Sequence, residues 1–387
     1  MDTQHAISAD SHVDLPWIPQ DIFKEAAPAH LRDRVPTLID TPTGRQWTYP
    51  GRPWMGGAQG KPGGKGKNFD RMIAAGFYDV QDGRFHPTDV ELRLHDQDMD
   101  GLSGEVLYGI LAVDGSLKDD PEALAFVYTV YQDWVSSFVK QAPDRFAAIV
   151  PLPGDPNEAV AHVRRAAKLG IKGVELKPRV AVKPFWHDIW EPLWNAVEDT
   201  RLVLNFHSDI GLIQPKGSAE DREAKRMVNQ ALIGSIGKMA NAEHLGTLVL
   251  SGVLERHPRI TLIMGETDIS WLPHYLDRMD YMVTEREYNT GLPLLPSEYW
   301  FRQCKATFQN ERLAATVIPM IGVDNVMWAN DYPHPDGTWP ASQQVFRDHL
   351  STLNEADRHK VLYGTVASLY GFPQRVAQPL VGAAARA

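Results

Sequence analysis

Acidic residues and histidines in this sequence collect at the ends of short apolar runs. Asp10-Ser11-His12 closes AISADSH, Asn205-Phe206-His207 closes LVLNFH, and Asn330-Asp331 closes VMWAND, followed by Tyr332-Pro333-His334-Pro335. On an extended segment the i, i+2 spacing points both side chains to the same side, so Asp10 and His12 face one way. Two histidines and two carboxylates drawn together form a hard oxygen and imidazole donor set that suits zinc, manganese or iron. A single histidine at a strand end is usually a hydrogen-bonded structural residue; agreement between three separate strand ends favours a metal. The set lacks thiolate, and the chain carries no GxSxG elbow, Walker motif or HExxH helix.

The elements that must position these residues are legible as eight β-rich apolar runs: Ala6 to Ser11, Glu105 to Gly109, Phe146 to Leu152, Gly173 to Lys177, Leu202 to His207, Ile260 to Glu266, Ala306 to Gln309 and Val326 to Asp331. Their near-continuous hydrophobicity is that of strands covered on both faces. Amphipathic helical patterns lie between them, at Pro121 to Lys140, Pro156 to Leu169 with Asp155 as N-cap, Gly246 to His257, and Asn354 to Leu369. Alternating strands and helices predict an α/β fold, a (β/α)8 TIM barrel spanning residues 1–387 as one domain. No Gly-rich nucleotide turn follows the first strand, which argues against an open doubly wound sheet. Barrels place catalytic groups at the C-terminal ends of their strands, which is where the acids and histidines fall. A Gly/Pro-rich insertion at about 40–87 follows the first strand, so it is expected on the catalytic face, where Trp47, Tyr49 and Trp54 would form a lid or substrate wall. Packing on the surface or against another subunit is the competing expectation.

Composition narrows the function classes. With 387 residues, 43% hydrophobic content and a net charge of −10, the chain reads as a soluble globular protein and not as a nucleic-acid binder. The lysine-bearing stretch KPGGKGK from Lys61 to Lys67 reads as a solvated loop. The lone cysteine, Cys304, reads as a small buried side chain in a reducing compartment. Neither a signal peptide nor a run of about 18 apolar residues is present, which predicts a cytoplasmic location with no membrane partner.

Several segments together resemble the amidohydrolase superfamily, in the branch of aminocarboxymuconate-semialdehyde decarboxylase and the resorcylate decarboxylases. They are SADSHVDLP, LHDQDMDGLSGEVLYG, APDRFAAIVPLP, LGIKGVELKP, VLNFHSD, SGVLERHPRITLIMGE, WANDYPHPDGTWP and YGTVASLYGF. The resemblance implies a divalent metal held by Asp10, His12, His207 and Asp331, which holds substrate or activates water, with Asp331 also orienting or deprotonating it. Where the decarboxylases carry a histidine after the sixth strand, this sequence has Glu266, a proton-transfer residue or an extra ligand. With His334, Glu266 would hold a second metal, as in a small oxygenase branch whose anionic ligands favour high oxidation states of iron or manganese. Lys177, where other branches carry a carbamylated lysine, reads here, or Glu175 in its place, as a substrate contact or as a support behind the ligands. Trp328, Trp271, Trp339 and Tyr332 read mainly as core and rim packing, and as an aromatic substrate wall if they line the mouth.

The leading expectation is therefore a metal-dependent lyase or hydrolase, decarboxylating or cleaving C–C or C–N bonds of a small carboxylate-bearing or aromatic molecule. A dinuclear oxygenase and a catalytically silent partner subunit are the alternatives. The family also implies a homo-oligomer or pairing with a homologous subunit, with Tyr275, Tyr281 and Tyr288 on the contact surface.

Overall fold

In the computed structural model, which describes residues 5–41, 44–49, 52–58, 66–79, 83–111, 113–208 and 217–374, the chain builds two sheets. Strand β1 is Ala6–Val13, and β2 (Thr37–Thr41), β3 (Gly44–Tyr49) and β4 (Arg52–Ala58) form a separate antiparallel sheet. The other strands are β5 (Leu102–Gly109), β6 (Phe146–Pro151), β7 (Gly173–Glu175), β8 (Val203–His207), β9 (Leu262–Gly265), β10 (Cys304–Phe308) and β11 (Val326–Trp328). These run parallel in the order β1-β5-β6-β7-β8-β9-β10-β11. The ring is drawn together by hydrogen bonds from Asp331 N to Asp10 O (3.0 Å) and from His12 N to Tyr332 O (2.6 Å). All eight strands expected of the barrel are present, and two candidate ligand segments form its seam.

Side-chain alternation divides the core into two layers. Val174, Leu204, Leu262, Ala306 and Trp328 face outward and join one large cluster with the surrounding helices. Ile7, Ala9, Val106, Ile149, Ile263 and Met327 fill the barrel interior, stoppered by Val366, Ala367, Tyr370 and Phe372 of the C-terminal segment. Burial of such side chains contributes about 1.5–3 kcal/mol each, which is why the apolar runs outrank local propensity. Strand β1 breaks register between Ser8 and Ser11. The break passes the inward face from Ile7 and Ala9 in the interior to Asp10 and His12 at the mouth.

The helix Pro156–Leu169 starts as the sequence predicts, with the Asp155 side chain accepting from Asn157 N and Glu158 N. The expected helix from Gly246 to His257 is instead two, Asn241–Leu250 and Val253–Arg256, because Gly252 takes a left-handed φ of 76° between them. Cys304 is buried in β10, and burial pushes its thiol up and keeps it protonated.

The insertion holds more regular structure than its composition suggests: the end of β2, then β3, β4 and a helix, Lys67–Ala74. Trp47 is not an exposed wall residue. It is buried in the outer cluster, edge-on to Phe23 at 6.3 Å, because a large indole gains most by leaving water. The side chains of Tyr49 and Trp54 and the loop lysines Lys61 and Lys65 lie outside the described residues. The second half of the insertion does reach the catalytic face. Met72 and Phe77 pack with Tyr332 and Trp339, and Asn68 Nδ2 donates to Trp339 O at 3.0 Å.

Candidate metal centre and active site

Asp10 and His12 leave the end of β1, His207 ends β8, and Asp331 follows β11. His12 Nε2 lies 3.2 Å from Asp10 Oδ1 and 3.1 Å from Asp331 Oδ1, and His207 Nε2 lies 3.3 Å from Asp10 Oδ2. All four side chains are buried. Yet among the described residues both Asp10 oxygens, both His12 ring nitrogens, His207 Nε2 and Asp331 Oδ2 have no hydrogen-bond partner. A buried polar atom left without one costs about 1–3 kcal/mol, so a set of them aimed at one point is stable only with something between them. Two imidazoles and two carboxylates are donors a divalent cation takes; Asp10, His12 and His207 gather into one candidate ligand group, and His12 is shared with an adjoining group that holds Asp331 and His334.

The surroundings fix their charge. Burial pushes the Asp331 carboxyl up, but the His334 and His12 rings outweigh it and hold it well below the ordinary carboxylate range. Burial opposes protonation of His207, and Asp10 with Glu266 overcomes it, raising that ring to about 10. Tyr108 lies beside both histidines, 5.9 Å from the His12 ring and 5.0 Å from that of His207, and its hydroxyl donates to Asn205 Oδ1 at 2.8 Å. Gly265 permits this approach, since a Cβ there would meet Tyr108 Oη at 3.0 Å and His207 Cδ2 at 3.2 Å.

Glu266 stands beside the ligand cluster. Its Oε2 accepts from Ser208 Oγ and lies 3.6 Å from His207 Nδ1, while Thr307 Oγ1 accepts from its backbone N–H at 2.7 Å. Burial and the nearby Asp331 charge push its carboxyl up to about 7. Lys238, which sequence spacing did not single out, places Nζ 4.0 Å from Glu266 Oε1 and 3.8 Å from Asp268, and donates to Gln309 Oε1 at 2.7 Å. Glu266, Asp268 and Asp331 have left-handed backbones, with φ of 46°, 51° and 56°.

The second-metal pair expected from Glu266 and His334 is not gathered into one ligand group. Glu266 groups with Asp331 and Asp336, and His334 with His12 and Asp331. Both His334 ring nitrogens face carboxylate oxygens, Asp331 Oδ1 and Asp14 Oδ2, each at 2.8 Å. Lys177 is buried and paired with Glu175. Val174 and Leu176 face the outer cluster, so Glu175 and Lys177 point to the opposite, interior side. Trp328 turns away from any substrate: Met327 faces in, so its neighbour packs outward, edge-on to Phe346 at 4.6 Å. Asp14 and Arg93 also escaped the sequence reading. Asp14 continues the alternation of Asp10 and His12, a signal that was available; Arg93 sits inside a helix with nothing to mark it.

A family model described as Amidohydrolase matches residues 112–372. The chain belongs to the amidohydrolase family. Gamma-resorcylate decarboxylase of Rhizobium radiobacter is 24% identical over 247 residues, which cover 57% of this chain and 68% of the relative. Among solved structures, an amidohydrolase from Mycobacterium avium subsp. paratuberculosis superposes with a TM-score of 0.75 at 18% identity, covering 96% of this chain and 100% of that one. Dihydroxybenzoic acid decarboxylase from Polaromonas sp. JS666, solved with manganese and 2-nitroresorcinol, superposes at 0.60 with 17% identity, covering 96% and 97%. This amidohydrolase is a metal-dependent enzyme of the branch that holds the aromatic-acid decarboxylases. None of its described helices is long and apolar enough to cross a membrane.

Proposed function

We propose that this amidohydrolase is a non-oxidative decarboxylase of a small aromatic carboxylate, with one divalent ion held by Asp10, His12, His207 and Asp331. The carrying observation is the juxtaposition of unpartnered, buried ligand atoms with a protonatable carboxyl, Glu266, held by Ser208 at their side. Such an ion, when bound, supplies Lewis acidity toward substrate oxygens. Manganese in the Polaromonas decarboxylase makes it the first ion to try, with zinc and iron next. Glu266 delivers a proton to the ring carbon that bears the carboxylate, the C–C bond breaks to release carbon dioxide, and Glu266 regains its proton from solvent. Lys177, an interior-facing ammonium one strand from His207, is the group that meets substrate negative charge. Hydrolysis of a C–C or C–N bond is the second reading. It is favoured by the glutamate at the position where the decarboxylases have histidine, since a carboxylate there serves equally as general base.

The test is turnover of hydroxylated benzoates by the manganese-loaded enzyme in D2O. Release of carbon dioxide with one deuteron placed on the vacated carbon, abolished by chelation, is expected. Products formed by adding water with no gas released would establish the hydrolase, and turnover indifferent to chelation would overturn both readings.

A further inference from the structure

Between the ligand cluster and the loop after β11 lies a chain of side chains, buried at Asp14 and half-buried at His334, that the proposed chemistry leaves unused. Asp14 Oδ1 accepts from Leu111 N at 3.1 Å, and its Oδ2 takes a hydrogen bond from His334 Nε2 at 2.8 Å. His334 Nδ1 in turn donates to Asp331 Oδ1 at 2.8 Å, while Asp331 Oδ2 has no hydrogen-bond partner among the described residues. The His334 ring stacks on that of His12, with centroids 4.2 Å apart and planes 30° from parallel. The loop that carries it is closed tightly: His334 N donates to Asp331 O at 2.8 Å, Gly337 N to His334 O at 3.1 Å and Thr338 N to Asn330 O at 2.9 Å. A Cβ on Gly337 would meet Asn330 O at 2.3 Å, so the loop closes only around glycine.

We propose that Asp14 and His334 form a positioning pair that fixes the Asp331 carboxylate beside His12 for the ion, His334 gripping the oxygen that also lies 3.1 Å from His12 Nε2, and that His334 is not itself a ligand. The inference rests on the metal-centre reading above. Three observations carry it. Both ring nitrogens of His334 are taken by carboxylates, which leaves no lone pair for a cation. Asp331 needs such a brace because its backbone is left-handed and its side chain is fully buried. The stacking on His12 lets one ring fix two ligands at once, the outer-shell arrangement that orients metal-binding side chains.

The experiment measures ions per chain and the manganese dissociation constant, by competition with a chromophoric chelator, for the full chain and for His334→Gln, Asp14→Asn and the double variant. Melting of the metal-free forms is followed in parallel. Expected are one ion in every form, a 10- to 100-fold weaker constant in each single variant, and a double variant no weaker than the singles, since the two residues act along one path. Metal-free melting is to stay close to that of the parent while the metal-induced rise in Tm shrinks. A stoichiometry falling from two ions to one in His334→Gln would show that His334 is a ligand and overturn the proposal. Unchanged affinity in both single variants would also overturn it. If His334→Gln fails to fold, the milder Asp14→Asn decides by the same two readouts. A parent chain that takes no ion would instead sink the metal-centre reading.

Discussion

The two sides of the proposed metal centre are built differently. On the β1 and β11 side the ligand segments are locked from behind. Ser8 Oγ lies 2.8 Å from both Asp10 O and Asn330 Oδ1, the two acceptors within reach of its one proton, and Arg93, itself buried, donates to His12 O at 2.9 Å while pairing with Glu105. The Arg93 guanidinium also lies 4.9 Å from the centre of the Tyr332 ring, next to Asp331. The β8 and β9 side carries Glu266 and Lys238, and Lys238 follows a helix, Arg226–Ile236, with no buried residue. That helix leaves Val228, Leu232 and Ile236 exposed. The difference separates two tasks. Holding an ion needs fixed geometry within tenths of an ångström, whereas a proton donor and the wall beside it must admit and release a substrate.

The contrast can be broken most severely at Asp331. Asp331→Asn should remove turnover by about 10³-fold or more and strip the ion, as read by metal content and rate on the same sample. Glu266→Gln should lower turnover by about 10²- to 10⁴-fold while the ion stays bound, so loss of both together would erase the proposed division of labour. Arg93→Met leaves Glu105 buried and uncompensated and should cost about 3–5 kcal/mol in a denaturant titration.

A smaller, pH-dependent effect sharpens the picture of the braced side. Asp100 ends the helix before β5 and accepts from Ser342 N at 2.9 Å and from Ser342 Oγ. Burial pushes its carboxyl from 3.8 up to about 7. A raised folded-state value means that its contribution to stability is complete below about pH 4 and is lost as pH climbs through about 7. Melting curves of Asp100→Asn should therefore show less decline over that window than the parent, and parallel curves would refute it. The smallest effect belongs to the loosely packed helix: Leu232→Gln should change stability by no more than about 0.5 kcal/mol.

The barrel strands were readable because burial on both faces leaves continuous apolar runs, and Asp10, His12, His207 and Asp331 stand out as candidate ligands because each falls at the end of such a run. What escaped was set by tertiary geometry. The register break in β1 has no sequence mark, although it decides that Asp10 and Ala9, neighbours in the chain, both serve the inside of the barrel. Lys238 reaches Glu266 from a distant helical turn, so no spacing relates them. Trp328 was misread because a strand end offers both faces, and the inward Met327 takes the one a substrate would see. In the insertion, composition hid the end of β2, then β3 and β4, since glycine and proline suppress periodicity even where strands form.

The left-handed backbones of Glu266 and Asp331 carry a further consequence. A non-glycine residue held there costs on the order of 1–3 kcal/mol, a strain that glycine at the same position would relieve. Selection for melting temperature alone would thus drift toward glycine at the two places where the proposed chemistry needs a carboxylate. Anyone hardening this enzyme for use at higher temperature has to look elsewhere in the barrel, because at these positions durability and reactivity are bought from the same residue.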